Sequence, residues 1–139
     1  MTRVLVDTNI LVYSALKEQG NKHTIAIKVI GELIDKKEMI LSTQNLAELS
    51  RVLLEKVEPS ISVDAVKKII FGYSNYINII SYSQTTIINA LSIKREYSLH
   101  FFDSLLAATM QENGISQIIT ENTKDFEKIS WLKVSNPFK

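Results

Sequence analysis

The chain has 139 residues, of which 45% are hydrophobic and 22% charged, and its formal net charge at pH 7 is +1. This length predicts one domain over residues 1–139, and no apolar run reaches the roughly 18 residues of a membrane span, so we expect a soluble protein. Because the chain has no cysteine, disulfides, thiolate metal sites and cysteine nucleophiles are excluded.

The first half of the chain alternates apolar segments with amphipathic ones. Residues 2–6 predict a buried strand. No basic leader precedes this strand, so we expect cytoplasmic residence. Asp7 or Thr8 would cap a helix over about 9–16, and a polar loop at 17–22 precedes a helix over about 23–34. Residues 39–42 predict a second strand, followed by a helix over about 44–56 that ends before Pro59.

The second half continues this alternation. A helix is predicted from Ser62 or Asp64 to about Tyr73, a strand over 76–80, and two helices over about 84–96 and 103–113, the last ended by Gly114. Residues 117–120 predict a fourth strand and 133–135 a short edge strand. Strands that alternate with helices of this length predict an α/β fold, with a parallel sheet of four to five strands covered on both faces.

Acidic residues stand at the edges of four apolar segments, and they are Asp7, Glu48, Asp103 and Asp125. A buried carboxylate without a basic partner must lose its charge or share a cation, since an unpaired buried charge is very costly. Ligands of parallel sheets bind beyond the carboxyl ends of the strands, where Asp7 is expected. If the four acids meet there, they would require a divalent metal ion.

Three of these acids also have purely structural interpretations. Asp7 could cap the helix that follows it. Glu48 lies at the border of the buried face of its helix, where polar residues are common, although neither Gln44 nor Val52 at i±4 could form an ion pair with it. Asp125 could be a turn or cap residue, and Glu121 could replace it as the fourth acid.

Asp103 gives the clearest indication of an acid that faces inward. The residues at i+4 and i+7 are Ala107 and Met110, so the carboxylate lies along an apolar stripe of its helix. Leu106 occupies the position where a capping box would place Glu or Gln, which argues against a cap. His23 and His100, the only histidines, lack the spacing of a zinc site.

Four segments carry the acids, namely residues 6–11 (VDTNIL), 45–49 (NLAEL), 102–108 (FDSLLAA) and 119–126 (ITENTKDF). Together they closely resemble the PIN domain, and specifically the VapC type of toxin ribonuclease, over nearly the whole chain. This resemblance implies a three-layer α/β/α sandwich whose acids bind one or two Mg²⁺ or Mn²⁺ ions and hydrolyse single-stranded RNA. It also implies a small antitoxin as inhibitor and a homodimer.

Carried over residue by residue, the resemblance implies that Asp7, Glu48 and Asp103 form the metal site. The residues that would support them are Thr8 or Asn9, Ser104 and Thr120. Asn122 stands where many relatives carry Asp, so Asp125 or Glu121 would supply the missing charge, or a second ion would arrive with the substrate. Basic residues that flank the expected strand ends are candidates for RNA binding: Arg3, Lys17, Lys22 and Lys124.

Three other classes of protein are alternatives to this interpretation. A phosphotransferase of the haloacid-dehalogenase kind also begins with a strand ending in Asp, but needs a second Asp where this chain has Asn9. A Rossmann module would need a glycine-rich motif after the first strand, which is absent. A PIN-like binding module without metal affinity remains an alternative because of Asn122.

Overall fold

Five short parallel strands form the centre of the structure, a computed structural model that describes residues 2–139. The strands are β1 (Val4–Val6), β2 (Met39–Ser42), β3 (Asn78–Ile80), β4 (Gln117–Ile119) and β5 (Lys133–Ser135). Their order in the sheet is β3-β2-β1-β4-β5, with every pairing parallel. The predicted parallel α/β architecture is confirmed.

Helices cover both faces of this sheet. They are α1 (Thr8–Ala15), α2 (Asn21–Asp35), α3 (Thr43–Arg51), α4 (Val63–Tyr76), α5 (Gln84–Tyr97), α6 (Phe101–Glu112) and α7 (Thr123–Phe126). A 3₁₀ turn over Lys17–Gln19 follows α1, and a π-helical segment over Val52–Lys56 extends α3. None of the helices in residues 2–139 has the length and continuous apolar character that a membrane span requires.

The core has two halves because successive residues of a strand point to opposite faces. Leu5 of β1 packs into the half formed with α5 and α6. Val4 and Val6 pack into the other half, with apolar residues of α1, α2, α3 and α4. All three residues of β1 are buried, which explains why this central strand is apolar without interruption.

Several element boundaries differ from the sequence prediction. α2 begins inside the predicted loop, because Gly20 takes a positive φ of 61° and lets the chain enter the helix at Asn21. Tyr76 belongs to α4 and not to β3. α6 begins at Phe101, which packs against the core, so Asp103 lies inside the first turn. The four-residue helix α7 was not predicted; Gly114, with φ 69°, ends α6 as expected.

A buried capping box joins β2 to α3 at the edge where the strands end. The Ser42 hydroxyl accepts from the Asn45 amide at 3.0 Å, and Asn45 Oδ1 accepts from the Ser42 amide at 3.0 Å. Asn45 Nδ2 also donates to Thr8 Oγ1 at 3.1 Å, which connects α3 to α1. Since Asn45 is 1% exposed, these groups have little access to water as a substitute partner.

We predict that Asn45→Ala lowers the free energy of unfolding by about 2 to 3 kcal/mol, because it leaves the buried amide and hydroxyl of Ser42 without their acceptor and Thr8 Oγ1 without the donor from α3. Chemical denaturation measures the loss. Ser62→Ala is the matched control, since Ser62 caps α4 through Ala65 N at 3.2 Å but is exposed, and it should cost about 1 kcal/mol or less. Equal losses in the two variants would contradict the role given to Asn45.

Candidate functional site

A cleft of about 400 Å³ opens beyond the carboxyl end of β1. Its lining consists of Asp7, Thr8, Asn9, Val12, Tyr13, Glu48, Val52, Asp103 and Asn122. Three of the four predicted acids therefore meet in one cleft, although 55 residues separate Glu48 from Asp103 in the chain. Among residues 2–139, the cleft lining includes no lysine, arginine or histidine.

Asp7 is both a helix cap and a cleft residue, so its two interpretations hold together. Its Oδ1 accepts from the Thr8 amide at 2.8 Å, which caps α1. Its Oδ2 accepts from the Thr120 hydroxyl at 2.7 Å and from Asn9 Nδ2 at 3.4 Å. Every one of these partners is a neutral donor. The carboxylate is thus held in place by three residues without being neutralised by any of them.

The environment of Asp7 disfavours its negative charge. Burial is the main cause that raises its pKa from 3.8 to about 6, and the charges of Glu48 and Asp103 act in the same direction. The hydrogen bonds from Thr120 and Thr8 oppose the shift but do not cancel it. A carboxylate in this state is stabilised by any cation that enters the cleft.

Glu48 is held by side chains from two helices. Gln44 Nε2 donates to Glu48 Oε1 at 2.9 Å, and Thr8 Oγ1 donates to Oε2 at 3.4 Å. Gln44 Nε2 also donates to the Phe102 carbonyl at 2.8 Å, so it connects α3 to the start of α6. Gln44 is uncharged and forms no ion pair with Glu48, yet together with Thr8 it orients the Glu48 carboxylate. Sequence reasoning gave Gln44 and Asn45 no role, although an amide four residues before an acid on a helix is a usable signal.

Asp103 is half-buried at the cleft wall, while Ala107 and Met110 on the same stripe of α6 are fully buried. Burial raises the pKa of Asp103, and the negative charges of Asp125 and Glu48 raise it further. Asn122 Nδ2 lies 3.5 Å from Asp103 Oδ2. Asp103 therefore faces the acid cleft from α6, in the first turn of the helix.

The residues that follow β4 contribute polar groups to the cleft and no carboxylate to its lining. Thr120 is buried, and its Oγ1 accepts from the Asn122 amide at 2.9 Å while donating to Asp7. Ser104 was expected to orient the acids, but its hydroxyl donates to the His100 carbonyl at 3.0 Å, one turn back in the chain. Ser104 does not line the cleft, because the helix places it on the fully buried side.

Neither candidate for the fourth acid lines the cleft. Glu121 accepts hydrogen bonds from the Tyr13 hydroxyl at 2.6 Å and from the ammonium of Lys22. Burial alone would raise the pKa of Glu121, but these two bonds and the charge of Lys22 outweigh it and lower the pKa. Asp125 Oδ1 lies 4.0 Å from Lys128 Nζ. It influences the cleft through its charge, which raises the pKa of Asp103.

The four basic residues proposed for RNA binding are placed differently. Lys22 lies 5.0 Å from the ring centroid of Tyr13, a cleft residue, and Lys124 is exposed at the start of α7. Lys17 is exposed in the 3₁₀ turn. Arg3 does not flank the carboxyl ends of the strands as predicted: it precedes β1 and donates to the Asn113 carbonyl at 3.0 Å, so it lies at the amino edge of the sheet, opposite the acids.

The donor set of the cleft suits a hard divalent cation. Among residues 2–139, no three Asp, Glu or His side chains already stand close enough together to share an ion. Mg²⁺ retains several water ligands and commonly takes only one or two protein carboxylates, so this arrangement is compatible with its binding. Carboxylates as the only charged ligands, in a chain without cysteine, favour Mg²⁺ or Mn²⁺ over zinc or copper.

We predict that Asp7→Asn stabilises the metal-free protein at pH 7.5 by about 1 to 3 kcal/mol. The raised pKa means that the folded state holds the Asp7 proton more tightly than the unfolded chain. The penalty for ionisation therefore appears as pH rises from 3.8 to about 6 and stays constant above. Denaturation in EDTA at pH 7.5 and pH 3.5 measures this difference, which should vanish at pH 3.5. The exposed control Asp64→Asn should show no such dependence, and equal behaviour of both variants would contradict the prediction.

Comparison with known proteins agrees with the geometry. No curated protein matches the chain. A toxin-antitoxin complex from Klebsiella pneumoniae matches with a TM-score of 0.71 and 24% identity, over 98% of each chain. DNA-bound VapBC from Salmonella typhimurium matches with a TM-score of 0.71 and 18% identity, over 99% of each chain. At these identities the similarity concerns the fold.

VapC20 of Mycobacterium tuberculosis, a sarcin-ricin loop cleaving toxin, has a TM-score of 0.60 and 18% identity, over 83% of this chain and 86% of the other. The family model that matches the sequence is that of the PIN domain, and it spans residues 4–132, which include all four predicted acids. The haloacid-dehalogenase and Rossmann alternatives therefore do not hold, and the chain belongs to the PIN domain family.

Proposed function

We propose that this protein is a Mg²⁺- or Mn²⁺-dependent endoribonuclease that acts as the toxin of a toxin-antitoxin pair. The observation that carries the proposal is the meeting of Asp7, Glu48 and Asp103 in one cleft, whose lining has no basic side chain within residues 2–139. The raised pKa values of Asp7 and Asp103 support it, because burial and the neighbouring acids disfavour the negative charge of both side chains. A divalent cation would offset the cost of burying these charges, reduce the repulsion between them, and offset the negative charge of an RNA phosphate.

In this proposal, Asp7 and Asp103 hold the metal, and Glu48 either binds it or orients a water molecule. When bound, the metal supplies positive charge to the phosphate and lowers the pKa of water. Gln44 and Thr8 fix both oxygens of Glu48, which suits it to accept a proton from the attacking water. No residue of the cleft serves as a covalent nucleophile.

The cleft surroundings favour a single-stranded substrate. Tyr13, Val12 and Val52 add an aromatic ring and two apolar side chains to the acidic lining, and unpaired bases stack on such surfaces. Lys22 lies 5.0 Å from the ring centroid of Tyr13, and Lys124 follows the cleft residue Asn122 by two positions, so both would attract the phosphates of the RNA. Duplex bases are already stacked on one another and have no exposed face to offer.

The proposed partner is a small antitoxin. Several solved structures that share this fold are toxin-antitoxin complexes, some of them bound to DNA. A basic side chain of such a partner would pair with Asp7 and Asp103 and take the place of the metal charge. A homodimer of this chain is also proposed, on the resemblance to the VapC type.

A second candidate function is a PIN-like binding module without nuclease activity. The observation that favours it is Asn122, whose Nδ2 lies 3.5 Å from Asp103 Oδ2. Asn122 therefore presents an uncharged amide next to a proposed metal ligand. With one acid fewer than the full family pattern, the affinity for metal would be lower. Metal binding therefore separates the two candidates.

We predict that the wild-type protein cleaves single-stranded RNA in the presence of Mn²⁺, and that Asp7→Asn and Asp103→Asn each reduce the rate at least about 100-fold, since each removes a metal ligand. Gel analysis of a labelled RNA over time measures the rate. Asp64→Asn, which removes an exposed carboxylate from α4, should cleave like the wild type. Undiminished cleavage by Asp103→Asn would defeat the proposed mechanism.

Thermal unfolding tests metal binding without reference to activity. Millimolar Mn²⁺ should raise the Tm of the wild type, because an ion that binds only the folded state stabilises it. At a free Mn²⁺ concentration of 100 times Kd, this binding adds about 2.7 kcal/mol to the free energy of unfolding. The shift should be much smaller for Asp103→Asn. If the wild type shows no shift, the chain is a binding module and the nuclease proposal fails.

A further inference from the structure

A second pocket opens at the amino edge of the sheet, on the side opposite the acid cleft. It measures about 610 Å³, and its lining includes Arg3, Lys37, Met39, Ile40, Tyr76 and Asn78. Arg3 and Asp7 lie at the two ends of β1, four residues apart, so the pocket and the acids are separated by roughly 13 Å along the strand. The nuclease site makes no use of this pocket.

The pocket carries positive charge that is not neutralised. No acidic residue lines it, and neither Arg3 nor Lys37 forms an ion pair within residues 2–139. Arg3 lines the pocket, and its Nη2 donates to the Asn113 carbonyl at 3.0 Å, which ties one end of the guanidinium to the residue that follows α6. A guanidinium has five N–H donors, so most of its donors remain free for an anion.

Lys37 takes a backbone conformation that lysine seldom adopts. It follows the C-terminus of α2 with φ 58°, in a turn where Lys37 N donates to Ile34 O at 3.0 Å and Glu38 N to Leu33 O at 2.9 Å. Glycine is the usual residue at this position of a helix end, because a Cβ is strained there. The chain thus places a strained lysine where its side chain lines the pocket, and strain of this kind concentrates at functional positions.

Tyr76 adds an aromatic surface to the two cations. It is the last residue of α4 and is 82% exposed, more than any other large hydrophobic residue in residues 2–139. Asn78 follows at the start of β3 and is also exposed, with an amide that can donate and accept. Exposed aromatic rings next to Arg and Lys are the arrangement by which proteins bind single-stranded nucleic acid, since bases stack on the ring and phosphates pair with the cations.

We propose that this pocket binds one nucleotide unit of single-stranded RNA, with the base on Tyr76 and the phosphate between Arg3 and Lys37. Asn78 would contact the edge of the base. A free nucleoside monophosphate has the same chemistry and fits the same volume, so the experiment separates the two sources. The proposal does not depend on nuclease activity, because no residue of the acid cleft takes part in it.

The test is RNA binding in EDTA, where metal-dependent cleavage is suppressed. The fluorescence anisotropy of a labelled single-stranded 8-mer gives the Kd at several salt concentrations. Lys37→Gly should weaken binding and reduce the salt slope by about 1, while its Tm equals or exceeds that of the wild type, because Gly relieves the strain at φ 58°. Tyr76→Ala should weaken binding roughly tenfold or more through lost stacking.

Matched controls keep the result specific. Lys36→Ala removes the neighbouring exposed lysine, which does not line the pocket. Tyr82→Ala removes another exposed tyrosine. Apart from the general effect of the lost positive charge on RNA affinity, both variants should change the Kd less than about twofold. Asp7→Asn and Asp103→Asn should not weaken binding. This outcome separates the pocket from the proposed nuclease site, since those variants reduce the cleavage rate at least about 100-fold if that proposal is right.

AMP serves as the second probe. Displacement of the labelled RNA by millimolar AMP, lost in Tyr76→Ala, would assign the pocket to the nucleotide unit itself, whether free or within a strand. RNA binding that AMP does not displace, but that Lys37→Gly and Tyr76→Ala both weaken, would assign it to an RNA strand. Wild-type affinity in both of these variants, or no RNA binding by the wild type, would overturn the proposal.

Discussion

A carboxylate at the buried end of the central strand is the constraint on which the rest of the site depends. β1 has a paired strand on each side and helices on each face. Asp7, which directly follows β1, is therefore buried and has little contact with water. Burial there raises the pKa of Asp7 to about 6. The chain accepts this cost in stability, although Asn at the same position would retain the cap of α1 without a charge.

The neighbours of Asp7 show why its buried negative charge is useful to the site. Thr8, Thr120 and Asn9 hold the carboxylate as neutral donors, and Gln44 holds Glu48 in the same way. A lysine or arginine at any of these positions would have neutralised the cleft permanently. Neutral donors fix the geometry of the acids and leave their charge for a ligand, which is the arrangement that a removable cation needs.

Charge is also separated between the two edges of the sheet. Three acids line the cleft at the carboxyl ends of the strands, whereas Arg3 and Lys37 line the pocket at the amino ends. The net charge of +1 conceals this separation, because it sums charges that lie at opposite edges. The two edges are therefore suited to ligands of opposite charge: a metal cation at one and an anionic group at the other.

The sequence by itself determined the parallel sheet, the approximate position of nearly every helix, and four candidate acids at the edges of apolar segments, of which three line the cleft. It did so because apolar periodicity and capping residues are local properties that neighbouring positions carry. The boundaries of α6, and the existence of α7, were set by packing against the core and were not visible in that pattern.

Only the tertiary structure decided which polar residues reach the acids and which do not. Gln44 donates both to Glu48 and to the Phe102 carbonyl, which is 58 positions further along the chain. Glu121, in contrast, accepts hydrogen bonds from Lys22 and Tyr13. The Ser104 hydroxyl donates to the His100 carbonyl and not to an acid of the cleft. Arg3 is four residues from Asp7 in sequence, yet it lies at the opposite edge of the sheet. The physical reason is that hydrogen bonds and charges act over a few ångströms in space, and the path of the chain between two residues sets that distance.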